Sequence, residues 1–99
     1  MANPALEFHP EAAAEYLEAL AWYNERSPRA ARNFESAVIR AVEQIQRVPE
    51  RWPISAAGCR RFLLHQFPFQ IVYCTFENRI IVIAVAHTHR RPGYWRNRL

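Results

Sequence analysis

The sequence predicts an α+β fold: a short strand and an antiparallel helical hairpin come first, three antiparallel strands follow, and a basic tail ends the chain. Two patterns support this order. Apolar residues recur every three or four positions up to residue 48, as in amphipathic helices, whereas later segments are rich in Phe, Ile, Val and Tyr, as strands are. With 99 residues, 51% of them hydrophobic, residues 1–99 are expected to form a single domain with one core.

The first half of the chain is predicted to contain one strand and two helices. Residues 5–9 alternate apolar and polar side chains, which is typical of a short half-buried strand. Pro10 suits the first position of a helix, and the apolar spacing predicts that helix over residues 10–26. Ser27 is a typical N-cap for a second helix over 28–48. Because only a tight turn separates the helices, we expect them to pack as a hairpin against one face of the sheet.

Three consecutive strands are predicted over residues 59–64, 69–76 and 79–87, with tight hairpins at Gln66-Phe67 and Glu77-Asn78. In that register one face of the sheet is nearly all apolar and should pack on the helices. Its members are Phe62, Leu64, Phe69, Ile71, Tyr73, Val82 and Ala84. The other face is mixed and contains Cys59, Arg61, Leu63, Gln70, Val72, Cys74, Ile83, Val85 and His87.

The mixed face is expected either to be covered by another segment of the chain or to serve as a functional surface. Arg61, Gln70 and His87 would lie on adjoining strands there, beside an Arg-rich tail, so the face is a candidate functional surface. The alternative is that the tail, residues 88–99, folds back and covers it. A slip of one residue in either hairpin would exchange the two faces.

Charge is divided unevenly along the chain. All 13 basic residues are Arg and all 9 acidic residues are Glu. Residues 1–50 hold five Arg and eight Glu, net −3, whereas residues 51–99 hold eight Arg and one Glu, net +7. A basic half suits a nucleic acid or an acidic protein partner, although an Arg-rich surface that only meets solvent would have the same composition.

Several classes of site have no counterpart in the sequence. There is no phosphate-binding loop, dinucleotide fingerprint, nucleophile elbow or zinc spacing, so we expect no cofactor and no metal. Cys59 and Cys74, fifteen positions apart, are expected to be buried free thiols. No segment is long and apolar enough to span a membrane, and the N-terminus has no signal peptide. We therefore expect a cytoplasmic protein without a membrane partner.

Three residues are candidates for catalysis. An imidazole such as that of His87 can act as general acid or base near neutral pH. A guanidinium such as that of Arg61 can stabilise charge that develops on a phosphate, and Tyr94 could donate a proton or stack on a base. Together these groups could cleave RNA through its 2′-hydroxyl. The same residue types also occur at an ordinary polar strand end.

Six short segments, in a fixed order, form a recognisable pattern. They are Phe8-His9-Pro10-Glu11-Ala12, Ala21-Trp22-Tyr23, Val48-Pro49-Glu50-Arg51-Trp52-Pro53, Arg60-Arg61-Phe62-Leu63-Leu64, Phe67-Pro68-Phe69-Gln70-Ile71-Val72-Tyr73, and Ala84-Val85-Ala86-His87 running into Arg90-Arg91-Pro92-Gly93-Tyr94-Trp95. With this spacing the sequence resembles the RelE/ParE superfamily of type II toxin–antitoxin toxins, and its ParE (plasmid-stabilisation) branch in particular. The resemblance implies a helical hairpin against an antiparallel sheet, and a toxin that a cognate ParD-like antitoxin holds inactive in a hetero-oligomer.

The resemblance also implies where the partners bind. An antitoxin segment would dock on the exposed sheet edge and on the first helix, at Tyr16, Leu17, Leu20 and Trp22. The target would meet the basic half of the chain, at Arg60, Arg61, Gln70, His87, His89, Arg90, Arg91, Tyr94, Trp95 and Arg96.

Two activities occur in the superfamily. ParE-like members bind and inhibit DNA gyrase and are not known as enzymes, and this branch is the closer one. RelE-like members cut mRNA on the ribosome; Arg61 and His87 match their general pattern, but Lys is absent and Tyr94 lies further out than the usual aromatic residue. A basic module that binds nucleic acid without toxicity is the third alternative, and a toxin that has lost activity would have the same sequence features.

Overall fold

The computed structural model describes residues 3–99. Its elements follow the predicted β-α-α-β-β-β order. They are β1 (Ala5–Phe8), α1 (Pro10–Arg26), α2 (Pro28–Arg47), β2 (Arg60–Leu63), β3 (Phe69–Phe76) and β4 (Arg79–His87). Short 3-10 turns occupy the loop before β2 and the end of the tail. In residues 3–99 no helix is both long and apolar enough to cross a membrane.

Ser27 joins the two helices. Its main-chain N–H donates to the carbonyl of Tyr23 and closes α1, while its hydroxyl accepts a hydrogen bond from the N–H of Ala30 at 3.1 Å and opens α2. One residue therefore caps two helices, which keeps the turn short and makes the helices antiparallel neighbours. The inward stripe of α2 consists of Ala31, Phe34, Val38, Ala41 and Ile45.

The sheet has the strand order β1-β4-β3-β2. The antiparallel hairpins β2–β3 and β3–β4 are confirmed, but β1 runs parallel to β4, so the sheet is mixed and not wholly antiparallel. The pairing with β1 covers the outer edge of β4 from Arg79 to Val82, where a strand that is buried along almost its whole length would otherwise leave main-chain groups unpaired.

A β-bulge changes which side chains share a face. The register predicted for β2–β3 is confirmed, with Arg61 opposite Val72. Between β3 and β4 it holds from Phe76 to Tyr73, but an irregularity between Val72 and Tyr73 shifts the rest of the ladder by one residue. The faces predicted for Ala84, Val85 and His87 are therefore wrong. His87 lies opposite Phe69 on the helix side, Val85 packs in the main core, and Ala84 lies on the other face.

The sheet is covered on both faces. The main core lies between the sheet and the helical hairpin, with Phe34, Ile71, Tyr73 and Val82 at its centre. A second, smaller apolar cluster lies on the opposite face and consists of Cys59, Val72, Cys74, Ile83, Ala84, Ala86 and Trp95.

The two cysteines form a disulfide, so the prediction of free thiols is wrong. Cys59 precedes β2 and Cys74 lies in β3, one step along from the paired residues Arg60 and Tyr73. The β2–β3 register thus brings their Cα atoms to 4.6 Å from each other, within the usual range for a disulfide. A spacing of fifteen residues reveals this contact only once the register is known.

Candidate functional site

The C-terminal tail folds back over the second face of the sheet, as one of the two alternatives predicted. Trp95 is only 3% exposed and packs in the second apolar cluster. At the start of the tail, the N–H of Thr88 donates to the carbonyl of Pro68 at 2.8 Å. Gly93 adopts φ +73°, and the Arg96 Nε lies 3.0 Å from where a β-carbon would be, so the turn favours glycine. The tail is therefore an ordered layer of the fold.

Glu15 of α1 holds the end of this tail. Its side chain is 12% exposed and accepts a hydrogen bond from the Tyr94 hydroxyl at 2.6 Å. Arg98 donates to both carboxylate oxygens, at 2.9 and 3.0 Å. We call Glu15, Tyr94 and Arg98 the Glu15 clasp. Helical spacing places Glu15 on the same inward face as Ala12 and Ala19, and this is the signal by which the sequence could have revealed it.

The Glu15 clasp also completes the open edge of β4. Strand β1 ends at Phe8, opposite Val82, so the outer edge of β4 has no strand partner beyond that point. There the Val85 N–H donates to Glu15 at 3.0 Å, and Arg98 donates to the Ile83 carbonyl at 3.0 Å. The two side chains thus satisfy main-chain groups that a longer β1 would otherwise pair.

The electrostatics of the Glu15 clasp favour its ion pair. Burial alone would raise the pKa of Glu15, but hydrogen bonds from Arg98, Tyr94 and the Val85 N–H outweigh it and leave the pKa below its usual value. The hydrogen bond to Glu15 raises the pKa of Arg98. Burial, and then the hydrogen bond to the Glu15 carboxylate, raise the pKa of Tyr94. At neutral pH the Tyr94 phenol is therefore a neutral donor committed to Glu15.

Low pH is expected to weaken the contacts of the Glu15 carboxylate with Tyr94 and Arg98. Because the pKa of Glu15 is lower in the folded chain than the ordinary 4.5, its contribution to stability is present above that pH and is lost as pH falls through the lowered value. Urea unfolding between about pH 6 and pH 3 should show a steeper loss of stability in the wild type than in Glu15→Gln, which has no carboxylate there. Equal acid slopes in the two proteins would contradict the assignment.

The three candidate catalytic residues border one cavity, but their functional groups do not converge. Arg61 is exposed and belongs to the second face, whereas the His87 ring packs edge-on against Phe69 on the helix side, with centroids 5.2 Å apart. The expectation that Arg61 and His87 share a face is therefore wrong, because the bulge in the β3–β4 ladder turns His87 over. A cavity of about 170 Å³ remains between the tail and the second face, lined in part by Arg61, Gln70, His87, Arg90, Arg91 and Tyr94.

Several of the residues predicted to bind a target also make structural contacts. Arg60 donates to the carbonyls of Glu50 and Trp52, at 3.1 and 2.7 Å, and so fixes the loop before β2. Trp95 is buried and anchors the tail. The exposed members are Arg61, His89, Arg90, Arg91 and Arg96. They form the basic surface of the protein.

Arg90 is the member of the basic surface that touches the Glu15 clasp. Its guanidinium lies 3.8 Å from the centroid of the Tyr94 ring, and its Nη1 is 3.3 Å from Glu15 Oε2. His89 lies next to it, with its ring 5.1 Å from that of His87. The basic surface is thus connected to α1 through Glu15.

An apolar groove separates the outer sides of α1 and α2. It has a volume of about 470 Å³ and is lined by Phe8, Ala13, Tyr16, Leu17, Val38, Ile39, Val42 and Glu43. Leu17 is 60% exposed there, and Ile39 is exposed opposite it. Sequence analysis missed the α2 half of the groove, although Ile39 and Val42 flank the buried stripe of that helix. We call this feature the α1–α2 groove.

The predicted antitoxin residues divide between three depressions. Tyr16 and Leu17 line the α1–α2 groove, and Leu20 lines a neighbouring hollow that also contains Leu17. Trp22 lines a different groove with Glu18, Tyr23 and Phe69, and its ring is stacked by Arg26 at 3.7 Å. In residues 3–99 no group of His, Cys, Asp and Glu side chains could hold a metal ion.

Comparison with known proteins relates the chain to one sequence family and to a solved structure of similar fold. Residues 6–92 match the sequence model of a family described as "ParE toxin of type II toxin-antitoxin system, parDE". A solved structure titled "Chromosomal ParDE TA system from P. aeruginosa" is similar in fold, with a TM-score of 0.74 and 19% identity over 85% of this chain and 95% of the other. No curated protein matches the sequence significantly.

Proposed function

The chain belongs to the ParE toxin family of type II toxin–antitoxin systems, and from that premise we propose that it arrests growth by binding DNA gyrase until a cognate antitoxin neutralises it. The observation that carries the proposal is the presence of two chemically different surfaces. The α1–α2 groove is apolar, whereas the surface of the tail and the adjoining sheet is basic.

The α1–α2 groove supports the antitoxin half of the proposal. An exposed apolar groove between two helices suits the apolar face of a helix or extended segment, which buries its side chains there. Leu17 of α1 and Ile39 of α2 lie on opposite sides of the groove, so they can contact such a segment from two sides. Antitoxin that docks here would form a hetero-oligomer with the toxin.

The arrangement of the candidate catalytic residues supports a binding toxin over an mRNA endonuclease. Cleavage through a 2′-hydroxyl needs an acid, a base and a phosphate-stabilising group around one phosphate. Here Arg61 and His87 project from opposite faces of the sheet, and the Tyr94 hydroxyl donates to Glu15. The basic surface can contact an acidic or DNA-bound target without any chemical step.

Expression of the chain without antitoxin tests the target. We expect growth arrest with an induced DNA damage response and intact mRNA, together with loss of supercoiling by purified gyrase. Cleaved transcripts on translating ribosomes would instead support an endonuclease. Absence of arrest, with salt-sensitive binding to bare DNA or RNA, would support a nucleic-acid-binding module.

The antitoxin site is tested by Leu17→Glu. Burial of a leucine at an interface contributes about 1.5–3 kcal/mol, so the substitution should weaken antitoxin binding by roughly 10- to 150-fold while growth arrest persists. Val48→Glu is the control, because Val48 is an exposed aliphatic residue at the end of α2, outside both the α1–α2 groove and the sheet edge. Equal antitoxin affinity in the two variants would exclude the α1–α2 groove as the docking site.

A further inference from the structure

We propose that Glu15 is a positioning residue for the basic surface: by holding Tyr94 and Arg98 it keeps the tail, residues 88–99, in one fixed arrangement on the sheet. The inference rests on the proposed function insofar as the basic surface contacts the target. The effect of Glu15 on the position of the tail, however, can be measured without any target.

The tail depends on side chains for its position. Apart from the bond between Thr88 and Pro68, the main-chain hydrogen bonds of residues 88–99 join residues three apart within the tail or to His87, as in consecutive turns. Such turns shape the tail but do not attach it to the sheet. The attachments are the buried indole of Trp95 and the Glu15 clasp.

The Glu15 clasp requires a carboxylate. All the groups that reach Glu15 are donors: the Val85 N–H, the Tyr94 hydroxyl and the guanidinium groups of Arg90 and Arg98. Arg98 binds the two oxygens in parallel, the fork geometry that gives Arg–carboxylate pairs their directional strength, and its side chain is only 7% exposed. A carboxamide would direct its own N–H₂ group toward one of these donors and leave the exposed Glu11, 3.5 Å from the Arg98 Nε, as the remaining counter-charge.

The Glu15 clasp also orients the arginines of the basic surface. The guanidinium of Arg90 stacks on the Tyr94 ring, and its Nη1 donates a hydrogen bond to the Glu15 carboxylate. Arg91 and Arg96 belong to two consecutive turns that both contain Tyr94, since the Tyr94 N–H donates to the Arg91 carbonyl and the Arg96 N–H donates to the Gly93 carbonyl. If the tail detaches, these arginines no longer form one surface. The apparent affinity for a target is then reduced in proportion to the fraction of molecules in which the tail stays attached.

Fluorine NMR of the 5-fluorotryptophan-labelled full chain tests the role of Glu15 directly. Trp95 reports on the tail, and Trp52, in the loop before β2, is an internal reference. In Glu15→Gln we expect the Trp95 signal to move toward its solvent-exposed position while the Trp52 signal stays unchanged. Glu18→Gln, an exposed glutamate on the same helix, is the matched control and should leave both signals in place. If Glu15→Gln does not fold, the same two signals are measured in Arg98→Gln, with the same expected result.

Activity measurements then separate positioning from general stability. We expect Glu15→Gln to weaken growth arrest and gyrase inhibition about tenfold, as when a tenth of the molecules keep the tail attached, with antitoxin affinity unchanged. Combining it with Arg98→Gln should add little, because both act through one contact. An unmoved Trp95 signal, or a moved signal with undiminished growth arrest, would overturn the inference. A wild-type chain without growth arrest would overturn the proposed function instead, and the Trp95 signal would still decide whether Glu15 holds the tail.

Discussion

Replacing Trp95 with alanine is expected to lower the free energy of unfolding by about 3–5 kcal/mol, the usual cost of truncating a buried aromatic residue. The indole is the largest side chain of the second apolar cluster and covers Val72, Ile83 and Ala86 on the sheet. Its loss either leaves a cavity, which removes packing contacts, or detaches the tail, which exposes apolar surface that is now buried. Urea unfolding followed by far-UV circular dichroism measures the change.

Trp22→Ala is the control for this substitution. Trp22 is exposed on α1, so its removal should lower the free energy of unfolding by less than about 1 kcal/mol. Similar losses in the two variants would mean that Trp95 does not anchor the tail. A growth-arrest assay adds a functional readout, because Trp95→Ala should also weaken the arrest if the basic surface contacts the target.

The second large effect is expected for Phe34→Ala, again with a loss of about 3–5 kcal/mol. Phe34 is fully buried in α2, and its ring lies 5.1–5.3 Å from the rings of Tyr23, Phe67 and Phe69. It therefore joins both helices to the β2–β3 hairpin. Edge-to-face ring pairs of this kind add stability beyond the area that they bury, so the loss should lie at the upper end of the range.

Phe76→Ala provides the comparison for Phe34. The Phe76 side chain is 54% exposed at the end of β3, and we expect its removal to change stability by no more than about 1 kcal/mol. Thermal unfolding of both variants and the wild type ranks their stabilities. A loss in Phe34→Ala no greater than that in Phe76→Ala would contradict the central place of Phe34 in the core.

Helix α1 takes part in both proposed interactions. Leu17 points outward into the α1–α2 groove, where antitoxin is proposed to dock, while Glu15 points inward and holds the tail. Two residues apart on a helix, the two side chains lie on opposite sides of it. Substitutions on α1 can therefore affect antitoxin binding and target binding independently, which is why Leu17→Glu and Glu15→Gln are expected to have different consequences.

Local signals in the sequence predict the elements, their order and the chain's family resemblance. Helix limits follow from local signals, since Pro10 opens α1 and Ser27 caps both helices with its own atoms. The buried stripe of α2 follows from spacing alone, because a helix of fixed period brings every third or fourth residue to one side. The β2–β3 register was also predictable, since the chain between the two strands is short.

The candidate site, in contrast, depends on contacts that form when the folded layers meet. The bulge that turns His87 to the helix side adds one residue to a ladder without any turn residue to mark it. The disulfide between Cys59 and Cys74, the parallel pairing of β1 with β4, and the contacts of Glu15 with Tyr94 and Arg98 join segments that are distant in the chain. Periodicity and capping act over a few residues, whereas these contacts depend on which surfaces meet after the chain has folded.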